Sequence, residues 1–132
     1  MAHATATIRE TRYKVAISTG GHALTADEGP ALGGQDAGPA PYDLLLASLG
    51  ACTSITLKMY AERKGWDLRA LSVDLKLRKE GERTHIDRVL HVTGALNAEQ
   101  RARLADIAER TPVTLTLKAG ADILTELAAV DA

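Results

Sequence analysis

One thiol stands in this sequence of 132 residues: Cys52, inside the run Leu-Gly-Ala-Cys-Thr-Ser-Ile-Thr at positions 49–56. As a thiolate, a cysteine attacks peroxide oxygens, disulfides and electrophilic carbons; as a thiol in an apolar helix it is a small core residue. A lone cysteine offers neither an intrachain disulfide nor a CxxC metal or redox pair, which fits a reducing compartment. At helical spacing Cys52 shares a face with Leu45, Leu49, Thr56, Met59 and Arg63, an apolar stripe with a charged end. That stripe reads either as the wall of a pocket for an apolar substrate or as ordinary core. The start of the helix lies about nine residues before the thiol, beyond the reach of its field, so reactivity needs a cation brought from elsewhere in the fold.

His22 is one such candidate, because it follows the Gly20-Gly21 turn and loops of that kind present side chains to clefts. His85 and His91, with Asp87 between them, fall on one face of a strand opposite Ile86, Leu90 and Val92, a pattern of a solvated face. With no HExxH and no helical pair of histidines, no metal site is expected. There is no GxSxG and no P-loop, and the glycines from Gly33 to Gly38 lack the strand and acidic residue of a dinucleotide fingerprint, so no cofactor is expected.

The elements that must position Cys52 follow from periodicity. Ala4 to Thr19 reads as two strands broken near Glu10 and Thr11, and His22 to Asp27 as a third after the glycine turn. Glu28 to Pro41 holds four Gly and three Pro and reads as a long ordered loop. Pro41 and Asp43 suit the first turn of a helix that runs to about Lys64 and is closed by Gly65. Its apolar residues occur almost all round, so it is expected to be buried on most faces. Arg69–Lys79 and Arg83–Gly94 alternate as a hairpin turning at Glu80-Gly81-Glu82, and Asn97 with Gln100 opens a helix ending near Arg110. Val113 to Lys118 fits a short helix or an extended piece, and Asp122 to Leu127 is expected as a final strand. The order is α+β in one domain, residues 1–132.

Composition narrows the functions. The chain is 45% hydrophobic and 25% charged, with sixteen basic and seventeen acidic residues, so it should fold as a soluble globule with no global attraction to nucleic acid. Four aromatics and no Phe argue against base stacking. Leu44–Leu57 is the most apolar stretch and falls short of the roughly 18 to 20 residues of a membrane span. Met1–Ile8 has no signal-peptide pattern, and a cytoplasmic protein is expected.

The run from Gly33 through Pro41-Tyr42-Asp43 to Gly50-Ala51-Cys52-Thr53, followed by Met59-Tyr60-Ala61-Glu62-Arg63-Lys64-Gly65-Trp66, resembles the osmotically inducible protein C and organic hydroperoxide resistance (OsmC/Ohr) family. The resemblance extends through Ile86-Asp87-Arg88, the helix from Asn97 and the Pro112-Val113 segment, and is nearest to the OsmC-like branch. It implies an OsmC-like fold with antiparallel strands wrapped round a long central helix, in an intertwined homodimer with the site at the dimer interface. It also implies a thiol peroxidase in which the cysteine at position 52 attacks a hydroperoxide, an Arg and a Glu organise it, and a second cysteine resolves the sulfenic acid.

Several positions depart from that pattern. The second cysteine and the following histidine are replaced by Thr111 and Thr114, which removes the two-cysteine cycle. Tyr42 stands where the organising Glu is found, with Asp43 beside it as a substitute, and the Arg after the glycine turn matches His22, with Arg9 and Arg12 as less direct candidates. The expected catalytic set is therefore Cys52, His22 and Asp43, and the expected pocket is Tyr42, Leu45, Leu49, Thr56, Met59, Thr111 and Thr114. Three functions follow: a one-cysteine hydroperoxide reductase served by an external thiol, a non-catalytic member that binds a small apolar or acyl-like ligand at the interface of an obligate homodimer, or an adaptor or purely structural dimer.

Overall fold

The computed structural model describes residues 1–129. Strands β1 (Ala4–Ile8), β2 (Val15–Thr19) and β3 (His22–Ala26) form an antiparallel sheet in that order. Ile8 pairs with Val15, Val15 with Ala26, and Thr19 with both Ala4 and His22. The period of two half-buries Val15, Ile17 and Thr19 and leaves Ala16 and Ser18 in solvent. Gly20 and Gly21, at φ 57° and 79°, supply the two left-handed residues of a tight hairpin.

After β3 the chain enters the Gly- and Pro-rich loop, which is organised round one carboxylate. Asp27 is only 2% exposed. Its Oδ1 accepts the backbone N–H groups of Tyr13 (3.1 Å) and Glu28 (2.7 Å), and its Oδ2 those of Gln35 (3.1 Å) and Ala37 (3.0 Å). Three of these donors belong to the loop, which has no ladder of its own beyond a single 3-10 turn at Pro30–Leu32, and the fourth, Tyr13, ties it to the connection between β1 and β2. All four also hold the Asp27 carboxyl below the usual carboxylate range, the Ala37 N–H most of all. The loop returns so close to β3 that a Cβ on Gly38 would lie 2.1 Å from the Thr25 carbonyl oxygen.

Helix α1 (Pro41–Lys64) begins where Asp43 accepts the Ala40 N–H at 3.0 Å. It ends in a Schellman motif: Gly65, at φ 71°, donates to the Glu62 carbonyl and Trp66 to that of Ala61. The indole of Trp66 then meets Tyr60 edge-on, with ring centroids 5.5 Å apart. The buried residues of α1 are Leu49, Thr53, Leu57 and Ala61, a single stripe with steps of four. This corrects the expectation of a helix buried on most faces: Ile55 is 55% and Met59 58% exposed, because no element among the described residues covers their side. By length and composition alone α1 is long and apolar enough to cross a membrane, a test that the core helix of a soluble protein also passes; Lys58 in its interior donates to the Leu68 carbonyl at 2.6 Å.

Strands β4 (Ala70–Glu80) and β5 (Arg83–Thr93) form a hairpin that turns at Gly81. Leu71, Val73, Leu75 and Leu77 are half-buried and alternate with exposed residues. Helix α2 (Ala98–Ala108) starts in a capping box of Asn97 and Gln100, and α3 (Pro112–Ala119) follows after a short break. The strand expected at Asp122–Leu127 is not formed. Ile123, Leu124 and Leu127 are exposed, since a strand needs a neighbour to receive its backbone groups and the chain brings none to this segment.

Two compact units divide the chain, one of residues 1–50 and 74–89 and the other of residues 51–73 and 90 onward. The second unit has a closed apolar core of Leu57, Ala61, Leu68, Leu104 and Ala108, with Leu71, Leu90, Val92, Leu96 and Ile107 packed against it.

Candidate active site

Cys52 lies half-buried on α1, and the start of α3 is brought to its sulfur. The backbone N–H of Val113 donates to Sγ at 3.4 Å, and the Thr56 hydroxyl, one turn along α1, is 3.9 Å away. Local sequence explains the first contact. Thr111 is the extended N-cap residue of α3 and Pro112, at the first helical position, has no N–H, so Val113 carries the first available amide. The amides of a helix start have no partner within the helix and favour a negative charge, so sulfur here faces the positive end of a helix. The start of the helix that carries Cys52 is distant; the sequence signal for the nearer helix start is Thr111-Pro112, an N-cap followed by proline.

Thr111 and Thr114 are buried, with their hydroxyl oxygens 2.6 Å apart. Thr114 donates to the Ala108 carbonyl at 3.4 Å, which leaves Thr111 as the donor to Thr114. The two hydroxyls thus satisfy each other and the end of α2.

Among the described residues no Arg, Lys or His side chain hydrogen-bonds to Sγ; its partners are an amide and a hydroxyl. The other residues of interest have environments of their own. His22 is exposed at the start of β3, and its imidazole makes no hydrogen bond or ion pair among the described residues. Asp43 is engaged by the Ala40 N–H. Tyr42 is half-exposed under the Lys79 ammonium, which stands 5.2 Å from the ring centroid and 3.4 Å from the hydroxyl. Leu49 is buried, Leu45 half-buried and Met59 exposed. His22, Tyr42, Asp43, Leu45 and Leu49 belong to the first unit, and Cys52, Thr56, Met59, Thr111 and Thr114 to the second.

A single thiol thus stands on the long helix of an antiparallel α+β chain, met by the start of another helix. The family model described as OsmC-like protein matches residues 33–126, and the chain belongs to that family. Solved structures share the fold. An OsmC-like protein from Mycoplasma pneumoniae superposes with a TM-score of 0.77 at 18% identity, over 89% of this chain and 87% of the other. An organic hydroperoxide resistance protein OsmC from Legionella pneumophila gives 0.65 at 21% identity, over 89% of each chain. The organic hydroperoxide resistance protein OhrB of Bacillus subtilis gives 0.59 at 24% identity, over 88% of this chain and 90% of the other. No functionally curated protein matches the sequence.

Proposed function

We propose that this protein is a one-cysteine thiol peroxidase that reduces organic hydroperoxides in the cytoplasm with an external thiol as reductant, as part of an oxidative stress response. The observation that carries the reading is the Val113 N–H aimed at Cys52 Sγ from the start of α3. In the reaction the thiolate attacks one peroxide oxygen, the O–O bond breaks, and the alkoxide takes up a proton and leaves as the alcohol. Cys52 is left as a sulfenic acid. An external thiol attacks its sulfur and releases water, and a second thiol frees Cys52 as the reductant becomes a disulfide. An external reductant is required because Thr111 and Thr114 hold hydroxyls where the resemblance has a thiol and an imidazole. Membership of the family and structural relatives described as hydroperoxide resistance proteins support the substrate class.

The working unit is a homodimer in this reading. The exposed Ile55 and Met59 support it, since they give α1 an apolar side that a second copy would cover. An obligate interface of this kind buries more than about 2,000 Å², and a folded species near 14.0 kDa in sedimentation at low micromolar concentration would contradict it. Within the dimer His22 is the cation offered to the thiolate and Asp43 its organising carboxylate. Tyr42, Leu45, Leu49, Thr56, Met59, Thr111 and Thr114 line the pocket.

The reading is tested by peroxide turnover. The wild type should consume cumene hydroperoxide with a dithiol reductant and Cys52→Ser should not. Thr111→Cys should restore internal resolution, with a Cys52 to residue 111 disulfide after oxidation; the absence of that bridge under every oxidant would move weight to ligand binding. The observation on the side of that second reading, in which the pocket holds a small apolar or acyl-like ligand, is that no Arg, Lys or His side chain hydrogen-bonds to Sγ among the described residues.

A further inference from the structure

A cleft of about 600 Å³ opens on the second unit where the end of α1 meets α2, and Cys52 is not among its lining residues. The volume is in the range of small-molecule sites. Its apolar walls are the edge-to-face rings of Tyr60 and Trp66. The Schellman turn at Gly65 fixes this pair, because it sends the chain back so that Trp66 reaches the last turns of α1.

The polar groups in the cleft are unevenly matched. Tyr60 Oη accepts from Arg103 Nε at 3.1 Å, which leaves its own O–H to donate. The Arg103 contact also holds the Tyr60 hydroxyl below its ordinary range, which makes it a better donor. The Trp66 indole N–H makes no hydrogen bond among the described residues. Lys64 has no carboxylate partner among them, and its ammonium stands 5.7 Å from the Tyr60 ring centroid. Asp106 is neutralised by Arg103 at 2.7 Å and Arg110 at 2.8 Å, so Glu99 is the one carboxylate on the cleft without an ion pair among the described residues. Three donors beside two aromatic faces call for a flat ligand that brings its own acceptors.

We propose that this cleft binds a planar aromatic carboxylate, with its rings against Tyr60 and Trp66 and its carboxylate on Lys64. The site is independent of the thiol chemistry and stands whether or not Cys52 is a peroxidase.

Trp66 is the sole tryptophan, so its indole N–H gives a single nitrogen–proton NMR cross-peak that reports on the cleft. Titration of the full chain with 2-naphthoate should move that peak and saturate below about 1 mM, as suits a ligand of this size. 2-Naphthylmethanol, with the same rings and no charge, should bind about five-fold more weakly, the worth of one solvent-exposed charge pair. Lys64→Gln should weaken 2-naphthoate by a similar factor, Glu99→Gln should tighten it, and Cys52→Ser should leave it unchanged. Each variant's backbone spectrum shows that it is folded. A Trp66 peak that does not saturate, equal binding of the two probes, or full affinity in Lys64→Gln would overturn the proposal.

Discussion

The two compact units are held together by different means. The second is closed by apolar packing of Leu57, Ala61, Leu68, Leu104 and Ala108. The first buries few apolar side chains outright, Ala26 and Leu49 among them, and its most connected buried group is the Asp27 carboxylate with four backbone N–H groups. All of β1 is exposed in this chain, and so are Leu24 and Leu32. Apolar closure makes a unit stable by itself, whereas a polar hub fixes the path of a loop without supplying much hydrophobic drive. The thiol sits in the unit with the closed core.

The largest effect should come from breaking that core. Leu57→Ala removes a fully buried side chain and should cost about 2–5 kcal/mol in denaturant unfolding, far more than Leu24→Ala on the exposed β3. Equal losses would mean that the units do not differ in this way.

Next comes the hub. The Asp27 carboxyl titrates below its ordinary value of 3.8, so its contribution to stability is complete above that pH. As pH falls through the depressed folded value the contribution is lost, because the unfolded chain takes up the proton more readily. As the pH falls through that depressed value the amide signals of Gln35 and Ala37 should therefore move together toward unbonded positions, and Asp27→Asn should shift them already at neutral pH. Unmoved signals would remove Asp27 from its role.

A smaller loss is expected at the threonine pair. Thr114→Val leaves the buried Thr111 hydroxyl without its acceptor and should cost about 1–3 kcal/mol in denaturant unfolding. Smallest of all is Arg78→Gln. Its guanidinium bonds Asp87 at 2.7 Å and holds that carboxyl below the usual range, yet both side chains are about half exposed and screened by water, so the unfolding midpoint should barely shift, and less in high salt.

The strands, the hairpin and α1 were legible in the sequence because their signals are local: a period of two in β2, β4 and β5, a proline start and a glycine end for α1, and Asn97 with Gln100 for α2. The resemblance carried the family through the residues round Cys52. What escaped depends on distant parts of the chain. Asp27 reads as an ordinary strand end until the loop folds back on it, and Val113 matters through a backbone N–H that no side-chain motif reveals. No final strand forms because Ile123, Leu124 and Leu127 have strand chemistry but no strand edge beside them among the described residues. Likewise the apolar composition of α1 suggested burial all round, while one chain covers a single stripe.

Whether the surviving thiol reacts is measured most directly by mass spectrometry of the intact wild-type protein titrated with cumene hydroperoxide. At one equivalent Cys52 should gain one oxygen atom as sulfenic acid, trapped by dimedone, and at excess it should go on to sulfinic and sulfonic acid, because no second cysteine intercepts it. A Cys52 that stays reduced through the titration, or a rapid stoichiometric disulfide between two copies of Cys52, would contradict the one-cysteine peroxidase.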